Sequence, residues 1–357
     1  MKSVIMGLYN ICGEEMKMEK ILVTGGAGFV GSNLIYEILR HENDVMIVCL
    51  DSLTHAGSIK TLEPLIKNND PAFRFVKGDI TDREQVFNLF NEERFDMVIN
   101  CAVETGKKHT LDQSETFLKT NVLGTSILLD AFNQFGIKRF HQVSTEEVYG
   151  LIPSDNISES LDEDSLLKPD CVYAASKAAA DLLVLSYYKT YGTPVSISRS
   201  VSNYGPYQFP DRKIPSAIIS TMKGESVENL CNQEFARDWI YVGDHCRAID
   251  LILHEGKIGE IYNVGTHSER FDNNVIQHIL EIMDREDLLT EFPDIDISET
   301  LCRPLDCTKL ETELNWAPEK DFETGLARTV RWYENRKDWW ENIEDGTYLD
   351  DCKKILG

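Results

Sequence analysis

Along the first two hundred residues, short apolar runs alternate with stretches of helical periodicity. Lys20-Ile21-Leu22-Val23-Thr24 is an apolar, β-branched run that ends in glycines, and Val45 to Leu50 is a second. Phe73 to Val76, Met97 to Asn100, Arg139 to Val143 and Val195 to Ser198 repeat the pattern. Between them, apolar residues recur at helical spacing over 30–40, 82–93, 114–135 and 172–191. Strands that alternate with helices build βαβ units and a parallel sheet. Past residue 200 the alternation breaks. Tyr204-Gly205-Pro206 opens a less regular region, in which Ile261 to Val264 reads as one late strand. The expected fold class is α/β: a doubly wound parallel sheet over 18–200, rejoined by segments near 240–265, and a smaller mixed α/β subdomain over 201–357. Residues 1–17 precede a second methionine, Met18, and read as an N-terminal extension.

Composition narrows the class of partner. The chain has 357 residues, 42% of them hydrophobic, enough for one large domain or two smaller ones. With 36 basic and 60 acidic side chains the formal net charge is −24. Such a surface repels nucleic acid and anionic membranes, so bound phosphate must be held by local features. The nine cysteines are scattered, without a C-x-x-C pair, which points to reduced thiols in a cytoplasm. No apolar run approaches the ~20 residues of a membrane span. Glu14, Glu15 and the lack of a cleavage site argue against a signal peptide. His55, His109 and His245 show no metal-ligand spacing, so no metal site is expected, and Trp339-Trp340 reads as packing.

The first chemical signal follows the first strand. Gly25-Gly26-Ala27-Gly28-Phe29-Val30-Gly31 satisfies G-x-G-x-x-G through Gly26, Gly28 and Gly31, and a G-x-x-G-x-x-G register through Gly25, Gly28 and Gly31. Glycines permit a tight turn and close approach of backbone to a pyrophosphate, and the next helix offers unpaired N–H groups. Twenty residues after Gly31, Asp51 ends the second strand, where a carboxylate accepts hydrogen bonds from an adenosine ribose. Ser52 follows, with no arginine for a 2′-phosphate, so the expected cofactor is NAD. A Rossmann-type sheet then places Ser52, Thr54, Asp79, Ile80, Cys101, Ala102 and Val103 along the crevice at the strands' carboxyl ends.

The second signal is a pair of carboxylates, Glu146 and Glu147, behind Ser144-Thr145 at the end of the fifth strand. Like charges this close push at least one pKa upward, a way to hold an acid and a base in one site. Alone, an acidic turn explains them. Tyr173 and Lys177 change that. At i and i+4 they share a helical face, and an ammonium beside a phenol favours the phenolate, a base for a hydroxyl proton.

Together these residues resemble the extended short-chain dehydrogenase/reductase family, and within it the dTDP-glucose 4,6-dehydratase group, from about residue 19 to 350. The resemblance rests on 24–29, 50–57, Thr120 to Thr125, Ser144 to Gly150, Tyr173 to Lys177, Asn203 to Pro210, Arg237-Asp238-Trp239 and Tyr262 to Gly265. It implies NAD contacts that include Thr120, Tyr173 and Lys177. It further implies that Thr145 hydrogen-bonds the substrate oxygen, Tyr173 takes the C4 hydroxyl proton, Glu147 takes the C5 proton and Glu146 protonates the departing C6 hydroxyl. Thr145, Asn203, Arg212, Lys213, Arg237, Asn263 and Arg303 are the implied contacts of a nucleotide-sugar substrate. Arg237 has a competing reading, an ion pair with Asp238. A homodimer through helices 114–135 and 172–191 is also implied, although the apolar runs 127–129 and 182–185 fit packing on the sheet equally well. The chain departs from the group's pattern in three places. Glu146 stands where Asp is usual, Gly106 and Lys108 replace His and Asp, and the loop near Arg303 is shortened. A nucleotide-sugar 4,6-dehydratase is the leading expectation. A 4-epimerase, decarboxylase or C4 oxidoreductase, and a silent NAD-binding scaffold, are the alternatives.

Overall fold

The computed structural model describes residues 18–54, 56–105, 114–153, 160–231, 236–288 and 301–356. The expected extension 1–17 lies outside these residues, as do His55, Gly106, Lys108 and His109.

Twelve strands are present among the described residues: β1 (Glu19–Thr24), β2 (Val45–Asp51), β3 (Phe73–Lys77), β4 (Met97–Asn100), β5 (Arg139–Thr145), β6 (Ile152–Pro153), β7 (Val195–Ser200), β8 (Ser202–Tyr204), β9 (Ala236–Tyr241), β10 (Ile261–Val264), β11 (Glu269–Phe271) and β12 (Leu301–Cys302). Seven form one all-parallel sheet in the order β10-β7-β5-β4-β1-β2-β3. The order reverses at β1, between β2 and β4, and that reversal opens the crevice in which doubly wound sheets bind ligands. A mixed sheet β11-β9-β8 and an antiparallel pair β12-β6 complete the framework.

Alternation explains the two apolar layers. In β1, Leu22 faces one side with Val48, Val98 and Phe140, under the helices Arg83–Glu93 and Thr125–Phe135. Ile21 and Val23 face the other side with Ile47 and Ile99, under Phe29–His41 and Val242–Glu255. A separate core gathers Tyr204, Ile218, Trp239, Val275, Leu326, Trp339 and Trp340 in the C-terminal region. The tryptophan pair is therefore packing, as expected.

The four early helices form near their expected bounds, with one difference. The stretch 114–135 is not a uniform α-helix: a π-helical segment, Leu118–Gly124, separates Ser114–Phe117 from Thr125–Phe135. Gly124 lies so close to Ile80 that an added Cβ would sit 2.5 Å from its Cδ1. Thr125 Oγ1 donates to the Asn121 carbonyl at 2.7 Å and caps the bulge internally. Past residue 200 the chain is more regular than its pattern predicts, with helices Lys213–Lys223, Val242–Glu255, Asp272–Ile282 and Phe322–Asn335. The strands of this region are two to six residues long, too short for an alternation to announce itself.

The helix Val172–Tyr191 is tied to the sheet by a buried ion pair. Arg199 Nε on β7 donates to Asp181 Oδ2 at 2.9 Å, with the two side chains 2% and 0% exposed. Arg199 Nη1 donates to the Tyr149 hydroxyl at 2.9 Å, which donates to Asn263 Oδ1 on β10 at 2.8 Å. Removing one partner of a buried pair strands the other charge, which costs about 3–5 kcal/mol. Asp181→Ala should lower the unfolding free energy by about that much, read from urea denaturation. A loss under about 1 kcal/mol would mean that the pair does not anchor the helix.

Candidate active site

A cleft of about 480 Å³ runs along the carboxyl ends of the parallel strands. At one end lies the turn after β1. Gly25 has φ +68°, and a Cβ there would sit 2.7 Å from the Ala102 backbone. A Cβ at Gly31 would meet the Gly25 carbonyl at 2.4 Å. Of the two glycine registers, the one through Gly25, Gly28 and Gly31 lines the cleft. Gly26 instead packs on Cys49 and Ile35. Gly28 caps the helix Phe29–His41 without a side-chain bond, so the first-turn N–H groups face a backbone cradle that side chains would fill.

Asp51 closes this end. Its Oδ2 accepts the Ala27 N–H at 2.9 Å and its Oδ1 the Leu53 N–H at 2.7 Å. Burial raises its pKa, and these two bonds act against the rise. Each oxygen keeps a lone pair for a ligand hydroxyl. Phe29, Val30, Ser52, Thr54, Asp79, Ile80, Cys101, Ala102, Val103 and Thr120 line the same cleft. A glycine cradle at a helix N-terminus and a carboxylate at the end of the second strand fit a dinucleotide.

At the other end, Thr145, Glu146, Glu147, Tyr173 and Lys177 converge on the cleft. Thr145 ends β5, and its Oγ1 accepts the Glu147 N–H at 3.3 Å, which starts the short turn Glu146–Tyr149. Glu146 is 4% exposed. Burial pushes its carboxyl up to about 8, with Asp238 and Glu147 adding to the rise and Arg303 and Arg237 opposing it. Ser202 Oγ donates to its Oε1 at 3.3 Å, and Oε2 has no partner among the described residues.

Tyr173 and Lys177 start the helix Val172–Tyr191, which Cys171 caps by accepting the Ala174 N–H at 3.4 Å. Lys177 Nζ donates to the Val143 carbonyl at 2.7 Å. The leading influences on the phenol come from elsewhere than Lys177. Burial raises the Tyr173 pKa, the Glu147 carboxylate raises it further, and the first cation that opposes them is Arg212. Burial in turn lowers the Lys177 pKa, against the pull of Asp181.

The expected substrate contacts divide. Asn203, Arg212, Lys213 and Arg237 line the cleft; Asn263 and Arg303 do not. Asn263 is a structural residue. It accepts from Tyr149, its Nδ2 donates to the Leu161 and Asp306 carbonyls, and its N–H meets Glu163. Arg303 lies behind Glu146, in a second cavity with Leu151, Ala236, Arg237 and Asp238, and donates to Asp170 at 2.7 Å. The Arg237–Asp238 pairing is also corrected. Neighbours on a strand face opposite sides. Asp238 accepts the Thr266 and His267 N–H groups at 2.7 and 3.1 Å, while Arg237 approaches Asp272, which also pairs with Lys213.

Three residues had no assigned role in the sequence. Asn121 accepts the Glu104 N–H at 2.8 Å and donates to the Glu104 carbonyl and to Ser176 Oγ, so it joins the loop after β4 to the Tyr173 helix. Thr105 accepts from Arg212 Nη2 at 2.6 Å across the cleft mouth. His245 meets Asn203 Oδ1 through Nδ1 at 2.9 Å. The Asn203 Nδ2 donates to the Val201 carbonyl, so the proton between the two side chains belongs to His245, and burial holds that ring neutral, down at about 3. A buried Asn inside an apolar helix was the one signal of the first; nothing in the spacing marked the other two.

Known proteins resemble the chain throughout this framework. The family model GDP-mannose 4,6 dehydratase matches residues 22–329. A dTDP-glucose 4,6-dehydratase of Escherichia coli is 36% identical, over 92% of this chain and 97% of its own length. One from Xanthomonas campestris is 38% identical, over 92% and 96%. The crystal structure of a dTDP-glucose 4,6-dehydratase from Streptomyces venezuelae, with NAD bound, superimposes with a TM-score of 0.82 at 36% identity, covering 91% of this chain and 99% of that one. A UDP-glucose 4-epimerase of Thermotoga maritima, with UDP-glucose, gives 0.77 at 26% identity over 88% and 99%. With a matching model over most of its length and relatives above a third identical, the chain belongs to the GDP-mannose 4,6 dehydratase family of extended short-chain dehydrogenases/reductases.

Proposed function

We propose that the protein is an NAD-dependent nucleotide-sugar 4,6-dehydratase acting on dTDP-glucose or a related nucleoside diphosphate hexose. The observation that carries this reading is Glu146, a carboxyl buried enough to stay protonated near neutrality, next to Glu147 and lining the same cleft as Tyr173. Epimerisation at C4 needs the tyrosine and lysine but has no work for a neutral acid beside a second carboxylate.

Gly25, Gly28, Gly31 and Asp51 would hold NAD, which when bound supplies a hydride acceptor at C4 and the hydride later delivered to C6. Thr145 binds the C4 oxygen and Tyr173 removes its proton. The C4 ketone acidifies the C5 proton, which Glu147 takes. Glu146 gives its proton to the C6 oxygen, so the C–O bond breaks with loss of water across C5 and C6. Glu147 returns its proton to C5. Over the whole turnover Tyr173 has gained one proton and Glu146 has lost one. Arg212, Lys213 and Arg237 supply positive charge at the cleft for the diphosphate.

The helices 118–135 and 172–191 have an outer apolar surface. Ile127, Leu128, Leu129 and Val184 are buried in the sheet's core, whereas Leu118, Leu123 and Leu182 are 54%, 51% and 58% exposed. We read this face as the homodimer contact. Leu182→Glu combined with Leu123→Glu should elute as a monomer in size-exclusion chromatography. Unchanged elution of a wild-type dimer would remove the face from consideration.

With a panel of nucleotide hexoses, the product mass should fall by one water; an isomerised product of unchanged mass would overturn the dehydratase reading. Glu147→Gln should stop water loss yet still show a transient nicotinamide absorbance from C4 oxidation. Glu146→Gln should slow elimination by about 10²–10⁴-fold. Because an acid must be protonated to act, the elimination step, followed in single turnover after C4 oxidation, should slow as pH rises through about 8. A rate that climbs through that range would contradict the acid role.

A further inference from the structure

Glu146 borders two cavities. One is the cleft. The other, about 10 Å³, is lined by Glu146, Leu151, Ala236, Arg237, Asp238 and Arg303. That is room for about one water, and the walls are polar enough to hold it. Two buried atoms on these residues, Glu146 Oε2 and Arg303 Nε, lack a hydrogen-bond partner among the described residues. Burying such groups unpaired costs about 1–3 kcal/mol each, so a bridging group between them is favoured. Arg303 is 9% exposed and fixed from behind by Asp170, bonded through Nη2, which leaves Nε directed elsewhere. The mechanism adds a demand. Glu146 loses one proton per turnover and must regain it before the next.

We propose that Arg303 is a positioning residue for the acid step, acting with one water in this second cavity. The guanidinium steadies the Glu146 carboxylate formed when the C6–O bond breaks. The water donates to Oε2 and accepts from Arg303 Nε, and it is the route by which a solvent proton returns to the carboxyl. Each proton given to the departing hydroxyl is thus replaced by one from solvent, and Tyr173 releases the one it took. The charges that face Glu146 agree with this arrangement: Arg303 is the strongest of the cations that lower its pKa, Arg237 the weaker, with Asp238 and Glu147 opposing. The inference rests on the dehydratase reading of Glu146.

The test uses Arg303→Lys, Arg303→Met and Asp170→Asn, each loaded with NAD, with product mass and the pH profile of kcat as readouts. Wild-type loss of water secures the underlying reading on its own. Arg303→Met should lower kcat at neutral pH by about 10-fold or more. It should also move the alkaline limb to higher pH, since the carboxylate has lost its stabilising cation. Added guanidinium should recover part of the rate. Arg303→Lys should keep the limb nearer its wild-type position, and C4 oxidation should survive in both variants. A structural tether alone predicts something else: Asp170→Asn and Arg303→Met lose activity in parallel, the limb stays in place and guanidinium gives no rescue. That pattern would overturn the proposal while leaving the dehydratase reading intact.

Discussion

The buried pair of Arg199 and Asp181 is the constraint on which the site depends. A helix packed on a parallel sheet is free to slide by a fraction of a turn when only apolar contacts hold it. An ion pair with both members out of water is not, because any slip separates two opposite charges in a site where water cannot compensate them. Asp181 lies one helical turn beyond Lys177, which lies one turn beyond Tyr173, so the register that satisfies Arg199 also points the phenol and the ammonium at the end of β5. The same guanidinium reaches Tyr149, and Tyr149 reaches Asn263. The turn with Glu146 and Glu147, the Tyr173 helix and the outermost strand are therefore fixed relative to one another by a single charge. Asp181 also opposes the desolvation of Lys177.

Burial does most of the electrostatic work. The two adjacent carboxyl groups differ in depth: Glu146 is enclosed beside Ser202 and the second cavity, while Glu147 stays partly accessible at the cleft. Mutual repulsion, the reason first suspected from the sequence, contributes less than desolvation and less than Asp238. The phenol follows the same logic, because enclosure and Glu147 raise its pKa before any cation acts.

The parallel sheet was readable because strands buried on both faces are written as continuous apolar runs, as in Ile21 to Val23 and Ile47 to Leu50. The glycine turn and Asp51 were readable because backbone approach and hydrogen bonding demand particular residues at particular places. Contacts set by tertiary packing were not. Asn263 and Arg303 are polar residues near the right motifs, yet one is consumed by the Tyr149 network and the other stands behind Glu146. The π-helical segment was hidden because a bulge of one residue per turn leaves the apolar pattern of 114–135 almost unchanged. His245 carried no local signal at all, since its role depends on which way the Asn203 amide faces.

The extra methylene of Glu146 bears on the same point. A glutamate at 146, where the resemblance leads one to expect aspartate, would be a handicap if its carboxyl were held only by the cleft, where an error of about 1 Å can cost ~100-fold in rate. Glu146 is not held that way. Ser202 donates to one oxygen of its carboxyl, and the residue also borders the polar cavity that Arg303 lines, so the longer arm ends in a defined pocket. A shorter side chain would draw the carboxyl toward β5 and away from that pocket. Reach and support are matched at Glu146, where Ser202 and the cavity shared with Arg303 bracket the side chain.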